Sequence, residues 1–178
     1  MLRRLLLLVL MLWLGMGVGV SFVAIPHVFS PAVRDSLPPG GAGRIAQGIL
    51  LRMFQWQAGL AGAACVMHLA GRANGSVPAS RLRNVALPAL LALGMAALFW
   101  VYPTMTGYFE TKYRAGISET ERVEAGHRFG AWHGASQAGN LLILATVLAC
   151  SWQLSHSSPQ VPPSERAQTN GKGDGEVR

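Results

Sequence analysis

Leu5 to Ile25 reads LLLLVLMLWLGMGVGVSFVAI, without a single charge. A helix crossing the hydrocarbon core of a bilayer needs about 20 apolar residues. This stretch supplies them and runs on to Ser30 before Arg34 interrupts it. Arg3 and Arg4 followed by a leucine run also fit the opening of a secretory signal peptide. The apolar segment, however, continues well past the roughly 7–15 residues of a signal core. The expectation is therefore a retained membrane helix.

Three further windows have the same character. One spans about 45–70 and carries a single charge, Arg52; 84–109 and 129–154 carry none. Composition agrees, since the chain is 51% hydrophobic and only 13% charged, about half the charged share of an average soluble protein. Its 178 residues leave room for one domain. The expected architecture is all-α, an integral membrane bundle of four transmembrane helices within residues 1–154. The spans fall at about 5–29, 45–70, 84–109 and 127–154, and 155–178 reads as a disordered polar tail rich in Ser, Pro, Gly and charge.

The connections differ. Pro31 to Gly43 contains Pro38-Pro39-Gly40-Gly41 and reads as turns. Gly71 to Arg83 is short and basic. In the third, Ser118 and Glu121 form an S-x-x-E capping box, which starts the last helix near Glu119. Glu124 and Arg128 then stand one turn apart as an ion pair. The net charge of +7 is scattered between apolar runs and shows no aromatic–basic interleaving. Anionic lipid headgroups are the expected partners, and nucleic acid is not. Basic residues divide almost evenly between the two sides, so the positive-inside rule gives only a slight preference for cytoplasmic termini. The expected location is the bacterial inner membrane. Cys65 and Cys150 lie in apolar runs and read as small buried hydrophobes.

Polar groups at membrane depth are costly and tend to face the bundle interior. An antiparallel four-helix order brings the end of helix one, the start of helix two, the end of helix three and the start of helix four to one side. That side collects His27, Arg52, Gln55, Tyr108 and His133. On the last helix His133, Ser136, Gln137 and Asn140 follow at helical spacing. The candidate ligand-binding set is Arg52, Gln55, His133, Ser136, Gln137 and Asn140, in a polar pocket within one leaflet. The plainer reading of each is an interhelical hydrogen bond or, for Arg52, snorkelling to the headgroups. Gly126, Gly130 and Gly134 repeat every four residues and read as a close-packing seam.

Paired metal-ligand spacings such as HxxxH or CxxC are absent. No cofactor is expected, and the alternative, haem or a metal ion, would have to be held by His27 and His133 from separate helices. No Asp or Glu lies inside any span and no nucleophile–base pair is apparent, so the chain does not read as an enzyme.

Three places resemble the transmembrane-protein-205-like family: Phe22 to Phe29, read as FxxxPxxF; Gly43 to Leu50, GRIAQGIL; and Trp132 to Asn140, with His133, Gly134, Ser136 and Asn140 matching. Pro103 resembles a fourth family position. Arg52 interrupts the run that usually follows the helix-two motif, and His27 and Gln137 do not match family positions. The resemblance implies a four-helix membrane fold built on a domain of unknown function, with no established reaction. The expected function is that of a non-enzymatic multi-pass membrane protein binding a small ligand, an ion or a lipid headgroup. The alternatives are a haem- or metal-handling protein and a subunit or scaffold that packs on another membrane protein.

Overall fold

The computed structural model describes residues 1–157, so all but the start of the expected tail lies outside the described residues. Among those residues the chain is all-α and has no strand. Four long helices carry it: Leu2–Val28, Arg81–Lys112 and Glu119–His156, with Gly41–Ala73 second in chain order. A single turn, Pro31–Arg34, sits in the first connection.

Two of the helices widen in the same way. The first has a π-turn at Val20–Ala24, just before Pro26. The third has one at Ala97–Val101, just before Pro103. A proline ring collides with the carbonyl four residues earlier, here Phe22 or Phe99, and has no N–H to offer it. Widening the preceding turn by one residue relieves that collision without breaking the helix. The fourth helix starts as the S-x-x-E spacing predicts. Ser118 accepts from the Glu121 backbone N–H, and the Glu121 carboxylate accepts from the Ser118 N–H. The Ser118 backbone N–H is the chief reason the Glu121 carboxyl is held below the ordinary glutamate range.

The helices form an antiparallel ring. The first packs on the second and fourth, and the third crosses between the other pair. Its Arg81–Ala96 half lies mainly against the second helix, and its Tyr102–Lys112 half against the fourth. The half of the ring nearest the amino terminus is solid. There Leu6, Leu10, Trp13, Ala61, Leu87, Leu90, Val147 and Leu154 form a continuous buried core. Close helix approach in this half uses Gly17 and Gly94. A Cβ on Gly17 would meet the Leu144 side chain, and one on Gly94 would lie 3.3 Å from the Ala58 Cα.

The solid end is also laced by arginines. Arg83 is fully buried and donates to the Pro78 carbonyl at 2.7 Å and to Gln153 Oε1 at 3.2 Å. Arg3 donates to the Leu154 and Ser155 carbonyls, which no further helical turn would satisfy. From sequence Arg3 reads as the charged flank of the first apolar run and Arg83 as part of a basic loop. In the fold they clamp the second connection and the first helix to the last turn of the fourth.

Three of the four windows sit on helices long and apolar enough to cross a membrane: Leu2–Val28, Arg81–Lys112 and Glu119–His156. The second helix does not reach that composition, because Arg52, Gln55, Gln57 and His68 dilute it.

Candidate functional site: a polar cavity in the open half of the bundle

The half of the ring farthest from the amino terminus is hollow. A cavity of about 820 Å³ lies between all four helices and under the first connection. That volume falls within the range of about 300–1,000 Å³ typical of small-molecule sites.

Asn140 forms its floor, near the midpoint of the fourth helix. Its Nδ2 donates to Ser21 Oγ at 2.8 Å, and its Oδ1 accepts from Gln57 Nε2 at 2.9 Å. One side chain thereby joins the first, second and fourth helices. Ser136 stands one turn above, toward the mouth, with His133 and Gln137 beside it; all line the cavity. Gln137 Nε2 lies 3.0 Å from His133 Nε2. With the amide nitrogen turned toward it, the imidazole Nε2 is the acceptor of this bond. Phe129 stacks on the same ring at 5.7 Å, 14° from parallel. From the second helix Gln47 completes the polar wall.

The remaining wall is apolar, with Ile25, Phe29, Leu50, Met53, Met105 and Phe109. The first connection roofs it. Gly40 there has φ +78°, a left-handed conformation, and a Cβ on it would lie 3.1 Å from the Tyr113 ring; glycine meets both demands at once. Gly43 lies so close to Phe109 that a Cβ would be 2.6 Å from the ring. Charge is confined to the lip, where Arg34 pairs with Asp35 at 3.0 Å and Lys112 sits 5.5 Å from the Tyr113 ring centroid.

Several polar atoms here have no protein partner. Gln47 Nε2, Gln57 Oε1, His133 Nδ1 and Thr106 Oγ1 are all buried and unbonded. Each such group costs about 1–3 kcal/mol if nothing satisfies it. Two of these residues, Gln47 and His133, line the cavity.

Of the residues singled out by sequence, His133, Ser136, Gln137 and Asn140 come together. Arg52 and Gln55 do not join them. They are exposed, hydrogen-bond each other at 3.2 Å, and lie on the outer side of the second helix. The inner face of that helix is set instead by Gln47, Phe54, Gln57, Ala61, Ala64 and His68. At about 100° per residue, Arg52 falls some 140° away from both Gln47 and Gln57. Gly48, Arg52, Gln55 and Gly59 share one helical face, and all four are exposed on the outer side of the bundle. His27 is likewise exposed and does not line the cavity, so it does not meet His133 across the interior. Among the described residues no three His, Cys, Asp or Glu side chains converge as a metal site would require.

Gly130 and Gly134 have nothing within 4 Å of an added Cβ, and Gly126 meets only the Lys112 side chain at 3.8 Å. The seam expected to pack helices inside this chain is therefore open on its surface. Ser21, Gln47 and Gln57 are site residues the sequence reading missed. Gln47 lies inside the GRIAQGIL segment, and its helical relation to Gln57 and Ala61 was the available signal.

This architecture defines a class: an all-α chain with three helices long and apolar enough to cross a membrane, enclosing a polar cavity in one half. Residues 8–114 match a family described as a domain of unknown function (DUF4149), and the chain belongs to that family. The matched segment holds the first three helices and stops before the fourth, which carries His133 and Asn140. No curated protein and no solved structure matches the chain.

Proposed function

We propose that the protein is a multi-pass integral membrane protein that crosses the bilayer four times and binds a small ligand in the polar cavity, without catalysing a reaction. The observation that carries this reading is the hollow half itself. His133, Ser136, Gln137 and Asn140 from one helix face Gln47 from another, with unpartnered buried nitrogens on both sides. The second helix is the one span whose composition falls short, and three features support its crossing. It packs antiparallel between two helices that are apolar enough. Its outward face bears Trp56, Val66 and Leu69, each at least 60% exposed. Its polar Gln57 and His68 are turned inward, and each makes one hydrogen bond, to Asn140 and to Asn84. Apolar groups facing lipid and polar groups turned inward suit a bilayer, and the outward Arg52 and Gln55 are bonded to each other.

In this reading the cell location is the bacterial inner membrane and the lipid bilayer is the immediate partner. The FxxxPxxF, GRIAQGIL and WHGxSxxxN segments keep the transmembrane-protein-205-like family as the finer relationship. The test is a thermal-shift screen of the purified protein against small polar ligands and lipids. His133→Ala is expected to retain its fold and lose most of the ligand-dependent shift. A variant stabilised as well as the parent by every active ligand would contradict the assignment of the site.

A second reading has its own observation. The Gly130 and Gly134 face is unoccupied in the single chain, and small-residue faces let helix backbones approach closely in lipid. A partner membrane protein would seat there, away from the cavity.

A further inference from the structure

We propose, building on the pocket reading above, that the cavity takes an uncharged lipophile. Its polar end carries hydroxyl or carbonyl oxygens and sits between Gln47 and His133, and its chain leaves between the first and fourth helices.

The first argument is charge. The deep polar groups are Ser21, Gln47, His133, Ser136, Gln137 and Asn140, and no carboxylate, lysine or arginine stands among them; the charged lining residues are at the lip. A charged headgroup drawn to that depth would shed its hydration without meeting a counter-charge, whereas a hydroxyl or carbonyl needs only hydrogen bonds.

The second argument is unmet valence. Gln47 is 7% exposed and its Nε2 has no partner; His133 Nδ1 has none either. Both nitrogens lie behind the cavity surface, so a ligand oxygen meets them when the two side chains, which line the cavity, turn toward it.

The third is the exit. The first and fourth helices touch where Gly17 meets Leu144 and are bonded from Ser21 to Asn140. Beyond that level the two helices pack only sparsely on each other while both line the cavity, and Gln137 is exposed. An apolar chain can therefore pass sideways to lipid, while Phe29, Met105 and Phe109 hold its upper part.

The experiment uses the full chain in phosphatidylcholine nanodiscs and three photo-crosslinkers sharing one diazirine-bearing hexadecyl-length chain. One ends in monoacylglycerol, one in a carboxylate, one in trimethylammonium. The expected result is monoacylglycerol labelling on peptides covering residues 20–29 and 129–140, competed by unlabelled monoacylglycerol. Loss of one hydrogen bond should lower labelling in Gln47→Leu by about fivefold, with charged probes labelling these peptides no better than that variant. Ser136→Ala carries the same expectation should Gln47→Leu not fold. Equal or stronger labelling of those peptides by a charged probe overturns the ligand class while leaving the pocket in place. Labelling confined to outward peptides, such as that bearing Trp56 and Val66, overturns the inference outright. The thermal-shift screen then decides separately whether the cavity binds anything else.

Discussion

Asn140 is the residue on which three helices depend, because its amide is shared between Ser21 and Gln57 in a place water reaches poorly. Replacing it by leucine removes both bonds and leaves the Gln57 amide wholly unpaired at zero exposure. A cost of about 2 kcal/mol is expected, read as a lower unfolding midpoint in detergent. Much of that cost is the orphaned glutamine, so adding Gln57→Leu to Asn140→Leu should destabilise by clearly less than the two single changes together. Strict additivity would mean the network contributes nothing as a unit. Asn140 and its neighbours His133, Ser136 and Gln137 were legible in sequence because polar residues at helical spacing are rare in an apolar run. Gln57 was not, because a glutamine beside Arg52, Gln55 and Trp56 looks like part of a polar outer face until the inner face is known.

At the level of helices, the glycines separate into two kinds that a sequence pattern cannot distinguish. Gly43 touches the Phe109 ring of another helix, whereas Gly134 faces open space. Gly43→Ala should therefore push the second and third helices apart at the mouth of the cavity and lower the unfolding midpoint by several degrees, as overpacking costs about 1–3 kcal/mol. Gly134→Ala in the same helical setting should be neutral or slightly stabilising, since alanine is the better helix former. Thermal unfolding of the two variants side by side checks this, and the reverse order would contradict the packing. The small-xxx-small repeat at Gly126, Gly130 and Gly134 gave the stronger sequence signal and the weaker structural role within this chain. Periodicity identifies a face, and only the neighbouring helices decide whether that face is covered. The same limit explains Arg52 and Gln55, placed on a real stripe that turns outward. Pro26 and Pro103 mark where the two π-turns fall, but the widening itself is visible only in the backbone.

Across the whole molecule, one half is filled with leucine, tryptophan, alanine and valine and the other is left hollow and polar-lined. The helical class and the approximate windows follow from hydropathy, since three of the long stretches are almost wholly apolar or small and the second departs from that mainly at Arg52, Gln55, Gln57 and His68. The division into a solid and a hollow half does not, because it depends on the third helix leaning from the second toward the fourth along its length. The functional reading rests on all four helices crossing the bilayer, and the second is the one whose composition falls short. Single cysteines at Ser36, Asn74 and Ala115, in a background where Cys65 and Cys150 are replaced by alanine, would be labelled with a membrane-impermeant maleimide in oriented vesicles. Labelling of Ser36 and Ala115 from one side and Asn74 from the other is the predicted result. Labelling of Ser36 and Asn74 from the same side would show that the second helix does not cross, and would contradict the four-span bundle and the cavity's place within one leaflet.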